Sequence, residues 1–422
     1  MTKSARKLHV LAVLVDVILT MENSAVFQAQ VGEQLIALAA MGLTAGLVCI
    51  SANPHRFQRA IGERLERAGV VVDLVDDSHS FLRNLWAVAR RVRARRSRAE
   101  RAYVRGLWGP VVLLLSNPLN RLPHVYDVRG DLADEMRAVG TPFYKRWLYK
   151  GIESWAIRRA AAVTAVTRDL ANLLSARHSI GALHIIPSSV DTSFFGVSSS
   201  DAASVRVSLG YSEHDIVLVY SGGLSHYQQV PAMLEIWRRL LVENDVKFLL
   251  LTNDNPHSKE LEIGDLSAFG ERLQHRSVPR ESIPAFLGAS NIGFMLRDSR
   301  QLNRTASPVK FAEYTAAGLS IVASPGTGDI SDLVASMQLG VLVDPHSPDA
   351  GEVAVRQLIA SVRLDPRGIR ERSVGVAKSK YDWRAYEPVY RLIYGTPDSA
   401  VTEEFGTTGD AIAERSHVRH RG

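Results

Sequence analysis

SPVKFAEYTAAGLSIVAS, residues 307–324, carries its own punctuation. Ser307 can cap a helix through its hydroxyl, Pro308 suits the first helical position, and Gly318 suits a left-handed residue past the end. The pattern predicts a helix over 308–317 that runs into a strand, LSIVAS. The first turn of such a helix presents free N–H groups and the positive end of the dipole, a ready site for phosphate. Lys310 stands in that turn and adds a full charge. Glu313 lies three residues on, hence on the same face, and its acceptor-only carboxylate suits two sugar hydroxyls. Together they suit a nucleotide diphosphate. The alternative from spacing alone is a surface Lys–Glu pair on an ordinary helix.

The helix-to-strand step recurs along the whole chain. Short apolar runs at 8–15, 44–51, 70–75, 101–106, 123–129, 162–167 and 183–187 alternate with helix-length segments at 25–41, 55–68, 80–98, 109–117, 131–160 and 168–178. The second half continues with runs near 215–221, 246–251, 273–278, 290–296, 319–324 and 339–343. Such alternation implies parallel sheets covered by helices on both faces. No repeat of solenoid length is apparent. The Ser/Gly-rich stretch IIPSSVDTSFFGVSSSDAAS marks a boundary. It divides an N-terminal Rossmann-like domain (1–188) and a linker (189–200) from a C-terminal domain (201–380). A last helix (381–395) is placed to pack back on the first domain, and 396–422 read as a mobile tail. The fold class is α/β, with two doubly wound domains facing across a cleft.

Composition agrees. The chain has 422 residues, 46% hydrophobic and 22% charged, with one cysteine, Cys49. These values exclude a disordered chain, a coiled coil, a polytopic membrane protein and a disulfide framework. Lys3, Arg6 and Lys7 precede an apolar run from Leu8 to Leu19, but Asp16 interrupts it and no small-residue cleavage site follows. LHVLAVLV is therefore read as a buried first strand.

Several motifs, taken in order, resemble those of the family-4 retaining glycosyltransferases of GT-B fold. SPVKFAEYTAAGLSIV resembles their donor motif, in the subgroup written Ser-Pro-x-Lys-x-x-Glu-Tyr. IIPSSVDTSFF resembles the interdomain strand and turn, and VLVYSGGLSHYQQV (217–230) resembles the first strand and glycine loop of the nucleotide-binding domain. NIGFMLRDSRQLNRTASPVKFAEY and VYDVRGDLADE (125–135) resemble motifs of the same subgroup. The resemblance covers roughly residues 8–394. It implies transfer of a sugar from a UDP- or GDP-linked donor to a glycan or lipid-linked acceptor in polysaccharide or glycolipid synthesis, with no cofactor and no metal. In donor binding, Glu313 would hold the ribose, while Lys310 and Arg297 would neutralise the pyrophosphate beside Ser307 and Pro308. Gly222 and Gly223 would let backbone approach the phosphates, and backbone near Val278 would meet the base. Asp127, Arg129 and Asp131 would line the acceptor side of the cleft. For the two aspartates the competing role is capping the following helix. His124 reads as structural. No covalent nucleophile is named, and transfer on the leaving-group face is the implied route.

The chain also departs from the family pattern. Thr305 stands where many members carry a first glutamate, and the glycine loop offers only His226 in place of the usual Arg and Lys. Arg304 is a candidate to supply the missing charge. The N-terminal glycine pair is absent from TMENSAVFQAQVG, leaving Gly32. These departures motivate two alternatives, a nucleotide-sugar epimerase of the same fold and a non-catalytic nucleotide-sugar-binding homologue. Gly326-x-Gly328 is only a partial dinucleotide fingerprint and is read as a tight loop near the donor site.

The charge is local. Residues 1–200 hold 26 Lys+Arg against 16 Asp+Glu, whereas 201–422 hold 24 against 28. The segment 81–105 alone carries nine arginines and one acid, Glu100. On a helix, Phe81, Leu85, Val88 and Val92 form one stripe, with much of the arginine outside it. Trp86, Arg90, Arg93, Arg95, Arg96 and Arg98 then suit an anionic membrane surface, unless the arginines are merely solvated. Nucleic acid is disfavoured because aromatic interleaving is sparse and no reader motif is present. The expected location is cytoplasmic, peripheral on the inner face of the cell membrane.

Overall fold

The computed structural model describes residues 7–14, 27–77, 80–138, 140–256, 265–298 and 301–395. The N-terminal glycine-pair position, apart from its last residues, and the 396–422 tail lie outside the described residues.

Among the described residues thirteen strands form where the apolar runs predict them. In the first half they are β1 (Leu8–Leu14), β2 (Ala45–Ser51), β3 (Val71–Asp76), β4 (Ala99–Arg105), β5 (His124–Val128), β6 (Ala162–Ala165) and β7 (Leu183–Ile185). They make a seven-stranded sheet in the order β3-β2-β1-β4-β5-β6-β7. The second half supplies β8 (Ile216–Ser221), β9 (Val246–Leu251), β10 (Leu273–Arg276), β11 (Ile292–Met295), β12 (Ser320–Ala323) and β13 (Gly340–Leu342), ordered β10-β9-β8-β11-β12-β13. Every pairing is parallel. In both sheets the order reverses beside the first strand, so a crevice opens at the carboxyl ends of the strands.

Continuous apolar runs become strands buried on both faces; all residues of β2 and β8, Cys49 among them, are buried. One helix expectation fails. The segment 131–160 is two helices, Leu132–Ala138 and Phe143–Arg159. Gly140 adopts φ +68° between them, and Pro142 caps the second helix, so the chain turns where a single helix was expected.

The two halves are tied at a double crossing. Val190 N–H donates to Tyr381 O at 2.8 Å, and Trp383 N–H donates back to Val190 O at 3.3 Å. Asp382 accepts from Thr192 N–H at 3.0 Å and from Arg384 Nε at 2.7 Å. Beyond this crossing the helix Glu387–Tyr394 buries Tyr390, Ile393 and Tyr394 in the core of the first domain, with Leu14, Leu47 and Tyr103. Each such side chain contributes about 1.5–3 kcal/mol of apolar burial, so the C-terminus fastens the second domain to the first.

Candidate functional site

The donor motif folds into a helix, Val309–Ala316, buried on every side. Gly318 adopts φ +81°, the left-handed residue its position predicts. The N-terminus differs from expectation. Pro308 is the cap residue, and no side chain caps the helix. Ser307 instead turns its hydroxyl across the cleft, where Oγ accepts from the Ser188 N–H at 3.1 Å. The helix N-terminus thus keeps its anion-binding character while its entry is anchored to the interdomain turn.

Lys310 and Glu313 are not a surface pair. Both are buried, and they point to different partners. Lys310 Nζ donates to Tyr220 Oη at 2.8 Å and to Gln228 Oε1 at 2.9 Å, and lies 4.1 Å from the centre of the Tyr220 ring. Burial and the neighbouring Arg297 push its ammonium well below the usual lysine range, with Glu313 opposing. Arg297 is part-buried. Its guanidinium lies 4.9 Å from the centre of the Tyr227 ring, and NH1 donates to Asn303 Oδ1 at 3.3 Å. Among the described residues neither cation is hydrogen-bonded or ion-paired to a carboxylate. A buried lysine and a part-buried arginine whose described partners are neutral make an electropositive point beside a helix N-terminus.

The glycine loop makes this arrangement possible. Gly222 sits at φ +137°, and a Cβ there would stand 2.7 Å from Lys310 Nζ. Only glycine leaves room for the lysine to cross the loop. Asp254 holds the same loop by accepting from Leu224 N–H at 2.7 Å. Gly223 has no such constraint, since its Cβ would meet Asp254 Oδ2 at 3.4 Å and Ser225 Oγ at 3.9 Å, both ordinary contacts.

Sequence reasoning missed the partner of Glu313. Arg280 NH1 donates to Glu313 Oε1 at 3.0 Å, and its Nε lies 3.7 Å from Glu33 Oε1 in the first domain. Glu33 Oε1 is in turn 2.8 Å from Arg64 NH1. The result is an alternating chain, Glu313–Arg280–Glu33–Arg64, crossing the cleft. Arg280 also lines a cavity of about 650 Å³ together with Val278 and Asn253 from one domain and Gln28, Arg56 and Arg59 from the other. Arg280 follows directly on SVP at the end of β10, and that adjacency to Val278 was the available signal.

The residues expected on the acceptor side lie at the carboxyl end of β5. Asp127 accepts from Tyr103 Oη at 2.6 Å, Arg129 Nε at 2.6 Å and Thr164 Oγ1 at 2.7 Å. Burial alone would raise its pKa, but Arg129, Arg105 and the two hydroxyls outweigh burial and hold it below the usual range. Asp131 accepts from Ala133 N–H at 3.1 Å and from both terminal nitrogens of Arg177, at 2.8 and 3.0 Å. It caps the following helix, the competing role considered for it. Among the described residues no hydrogen bond or ion pair joins this group to the donor helix. His124 is structural, buried with Nε2 3.0 Å from Ala156 O. A smaller cavity of about 220 Å³ is lined by Arg105, Asp127, Arg129, Glu135 and Glu153. Burial, reinforced by Asp131, pushes the Glu153 carboxyl up to about 7.

The departures from the motif take definite places. Thr305 is fully buried, and its carbonyl accepts from Thr167 Oγ1 at 3.2 Å. Arg304 pairs with Asp169 of the first domain at 3.6 Å. Gly328 packs its Cα against the same loop, with Ala306 O 2.7 Å from a Cβ position.

On the arginine helix, Phe81–Arg95, the stripe Leu85, Val88 and Val92 packs into the first core. Trp86, Arg90, Arg93 and Arg98 are exposed as the membrane reading requires. Arg95 and Arg96 are not free. Arg95 donates to Asp73 Oδ2 at 2.6 Å and 2.9 Å, and Arg96 NH1 donates to Ser116 O at 2.9 Å. Arg91 also pairs with Asp73. Among the described residues no helix is long and apolar enough to cross a membrane, and no group of three or more His, Cys, Asp or Glu is arranged to hold a metal ion.

Residues 215–361 match the family model described as Glycosyl transferases group 1. No curated protein sequence matches the chain. Among solved structures, Alr3699/HepE of Anabaena in complex with UDP and glucose aligns with TM-score 0.69 at 15% identity, over 91% of this chain and 98% of that one. Sucrose-phosphate synthase of Thermosynechococcus elongatus aligns with TM-score 0.67 at 13% identity, over 91% and 98%. A glycosyltransferase of Rickettsia africae aligns with TM-score 0.65 at 14% identity, over 92% and 98%.

Proposed function

Because the chain has the GT-B fold and its second half carries a group 1 glycosyltransferase domain, we propose that it transfers a sugar from a UDP- or GDP-sugar to a glycan or lipid-linked acceptor, with retention of configuration and without a metal. The observation that carries this reading is the pair Lys310, buried, and Arg297, part-buried, which among the described residues have no carboxylate hydrogen-bond or ion-pair partner at the N-terminus of a buried helix. Transfer requires that charge developing on the leaving diphosphate be stabilised where water is excluded. Lys310, Arg297 and the first-turn N–H groups supply that stabilisation from preorganised positions. Glu313, oriented by Arg280, takes the ribose hydroxyls. That Alr3699/HepE is described with UDP and glucose supports a uridine nucleotide as the first donor to test.

Asp127 and Asp131 have their oxygens held by hydroxyls and guanidiniums. This suits positioning rather than attack on the sugar and fits transfer on the leaving-group face. We place the enzyme at the cytoplasmic face of the cell membrane, in polysaccharide or glycolipid synthesis, with the arginine helix turned to the lipid. The test is a screen of UDP- and GDP-sugars with a lipid extract as acceptor source, read by mass spectrometry. A mass increment of one sugar on a lipid or glycan is expected. Epimerised donor in the absence of acceptor would assign the fold to epimerisation, and calorimetry showing no binding of UDP or GDP would leave a non-catalytic homologue.

A further inference from the structure

The helix Phe143–Arg159 carries four large apolar side chains in its first six residues that remain exposed among the described residues. Phe143 is 76% exposed, Tyr144 59%, Trp147 79% and Leu148 53%. Its other half behaves normally, burying Glu153, Ala156 and Ile157 against the sheet. A solvated helix has no reason to concentrate Phe, Tyr, Trp and Leu at its exposed end.

This patch continues across two neighbouring helices. A groove of about 550 Å³ separates it from the helix Trp108–Ser116, with Pro110, Val111 and Leu114 on one wall and Trp147, Leu148 and Trp155 on the other. Trp108 meets Tyr149 edge-on at 6.0 Å and Phe81 edge-on at 4.8 Å. Phe81 begins the arginine helix, where Leu82 and Trp86 are 68% and 59% exposed. Phe81–Arg95 and Trp108–Ser116 follow the carboxyl ends of β3 and β4, and Phe143–Arg159, which comes after the short helix Leu132–Ala138, ends at the start of parallel β6, so the amino-terminal turns of all three lie towards one end of the sheet. That is the end from which Asp127 and Asp131 project. The apolar face therefore sits beside the cleft mouth.

Its charge has one sign. Residues 143–151 contain Lys145, Arg146 and Lys150 and no acid, and residues 81–95 contain Arg83, Arg90, Arg91, Arg93 and Arg95 and no acid. Aromatic side chains interleaved with lysine and arginine match the headgroup region of a bilayer, where ring bodies enter the acyl boundary and cations meet anionic phosphate.

We propose that the amino-terminal turns of Phe143–Arg159 and Phe81–Arg95, with the groove between the first of them and Trp108–Ser116, form a docking face seated on an anionic bilayer. Trp147 and Phe143 are its inserting residues. The face moves the contact away from Arg95 and Arg96, which are tied to the protein, towards the cleft mouth. It deepens the lipid-linked reading above and is independent of donor chemistry.

The test uses the full chain with vesicles of phosphatidylcholine, with and without phosphatidylglycerol, in flotation and in quenching by brominated lipid. Flotation with the anionic vesicles and quenching that Trp147→Phe measurably reduces are expected. Phe143→Ser/Trp147→Ser should weaken vesicle binding about a hundredfold, roughly tenfold per buried ring. UDP calorimetry on the same double variant checks its fold. No flotation of the parent chain, or equal flotation of the double variant, would overturn the proposal. So would concentration-dependent self-association that the double variant abolishes while vesicles stay unbound, since the face would then be a protein interface. In the parent chain, failure to bind vesicles with UDP binding intact counts against the docking face alone, and vesicle binding without nucleotide binding counts against the donor reading alone.

Discussion

Arg280 NH1 donates to Glu313 at 3.0 Å while Arg280 Nε lies 3.7 Å from Glu33, so one guanidinium joins the proposed ribose carboxylate to the opposite domain. The three side chains are nearly fully buried. Arg280 therefore orients Glu313 and also couples the proposed donor site to the closeness of the two domains. Removing one partner of a buried ion pair leaves an uncompensated charge, at about 3–5 kcal/mol. Arg280→Ala is expected to lower the melting temperature and weaken UDP binding together, whereas Glu33→Gln should spare UDP affinity and loosen only the interdomain contact. Calorimetry and the small-angle scattering radius of gyration separate the two. Equal effects of both variants on UDP would mean that Arg280 acts only by holding the domains.

Gly222 and Lys310 form a second coupled pair. A methyl group at Gly222 would occupy the path of the lysine and strain a backbone at φ +137°. Gly222→Ala should therefore resemble Lys310→Ala in nucleotide affinity, each weakening it by about 1.5–3 kcal/mol, the worth of a charge-assisted hydrogen bond. Glu313→Ala should weaken it by a similar amount. Unchanged UDP and GDP affinity in folded Lys310→Ala and Glu313→Ala proteins would refute the site.

Proton linkage offers a third check. Lys310 is depressed in the protein by burial and by Arg297, and a diphosphate placed beside it would raise it again. Nucleotide binding should then take up a proton at pH values between those two positions. Affinity should fall as pH rises through the lysine's value in the complex, because the neutral amine loses its attraction for phosphate. Calorimetry in buffers of different ionisation enthalpy reads the uptake directly, and Lys310→Met should abolish it. Buffer-independent heats would show that the lysine is already charged.

The fold was legible because parallel strands buried on both faces leave continuous apolar runs, and all of β1 to β13 correspond to such a run. The donor helix was legible because Pro308, Lys310, Glu313 and Gly318 lie within one short segment. What escaped sequence reading depends on long-range placement. Ser307 was read as a local cap, yet it bonds Ser188, 119 residues away. Arg280 carried no motif, and its role appears only when β10, the donor helix and Glu33 converge. Arg95 and Arg96 read in sequence as membrane-facing charges, although Asp73 and the Ser116 carbonyl, both remote in sequence, engage them. The split near Gly140 was local and could have been read from Gly140 and Pro142. Phe143, Tyr144, Trp147 and Leu148 look in sequence like half of an ordinary core helix, and only their exposure distinguishes them.

Glu153 gives a prediction on stability independent of any ligand. Its carboxyl is pushed up to about 7 by burial and by Asp131, against 4.5 in an unfolded chain. Between those values the native state holds a proton that the unfolded state has released. Stability should therefore fall as pH rises from about 4.5 to 7, by roughly 3 kcal/mol if the shift is fully expressed. Glu153→Gln keeps the shape and removes the titration. It should flatten that part of the stability curve and leave the variant more stable than the parent at pH 8. Urea unfolding of both proteins across this range measures it, and parallel curves would show that Glu153 titrates as an ordinary solvated carboxyl.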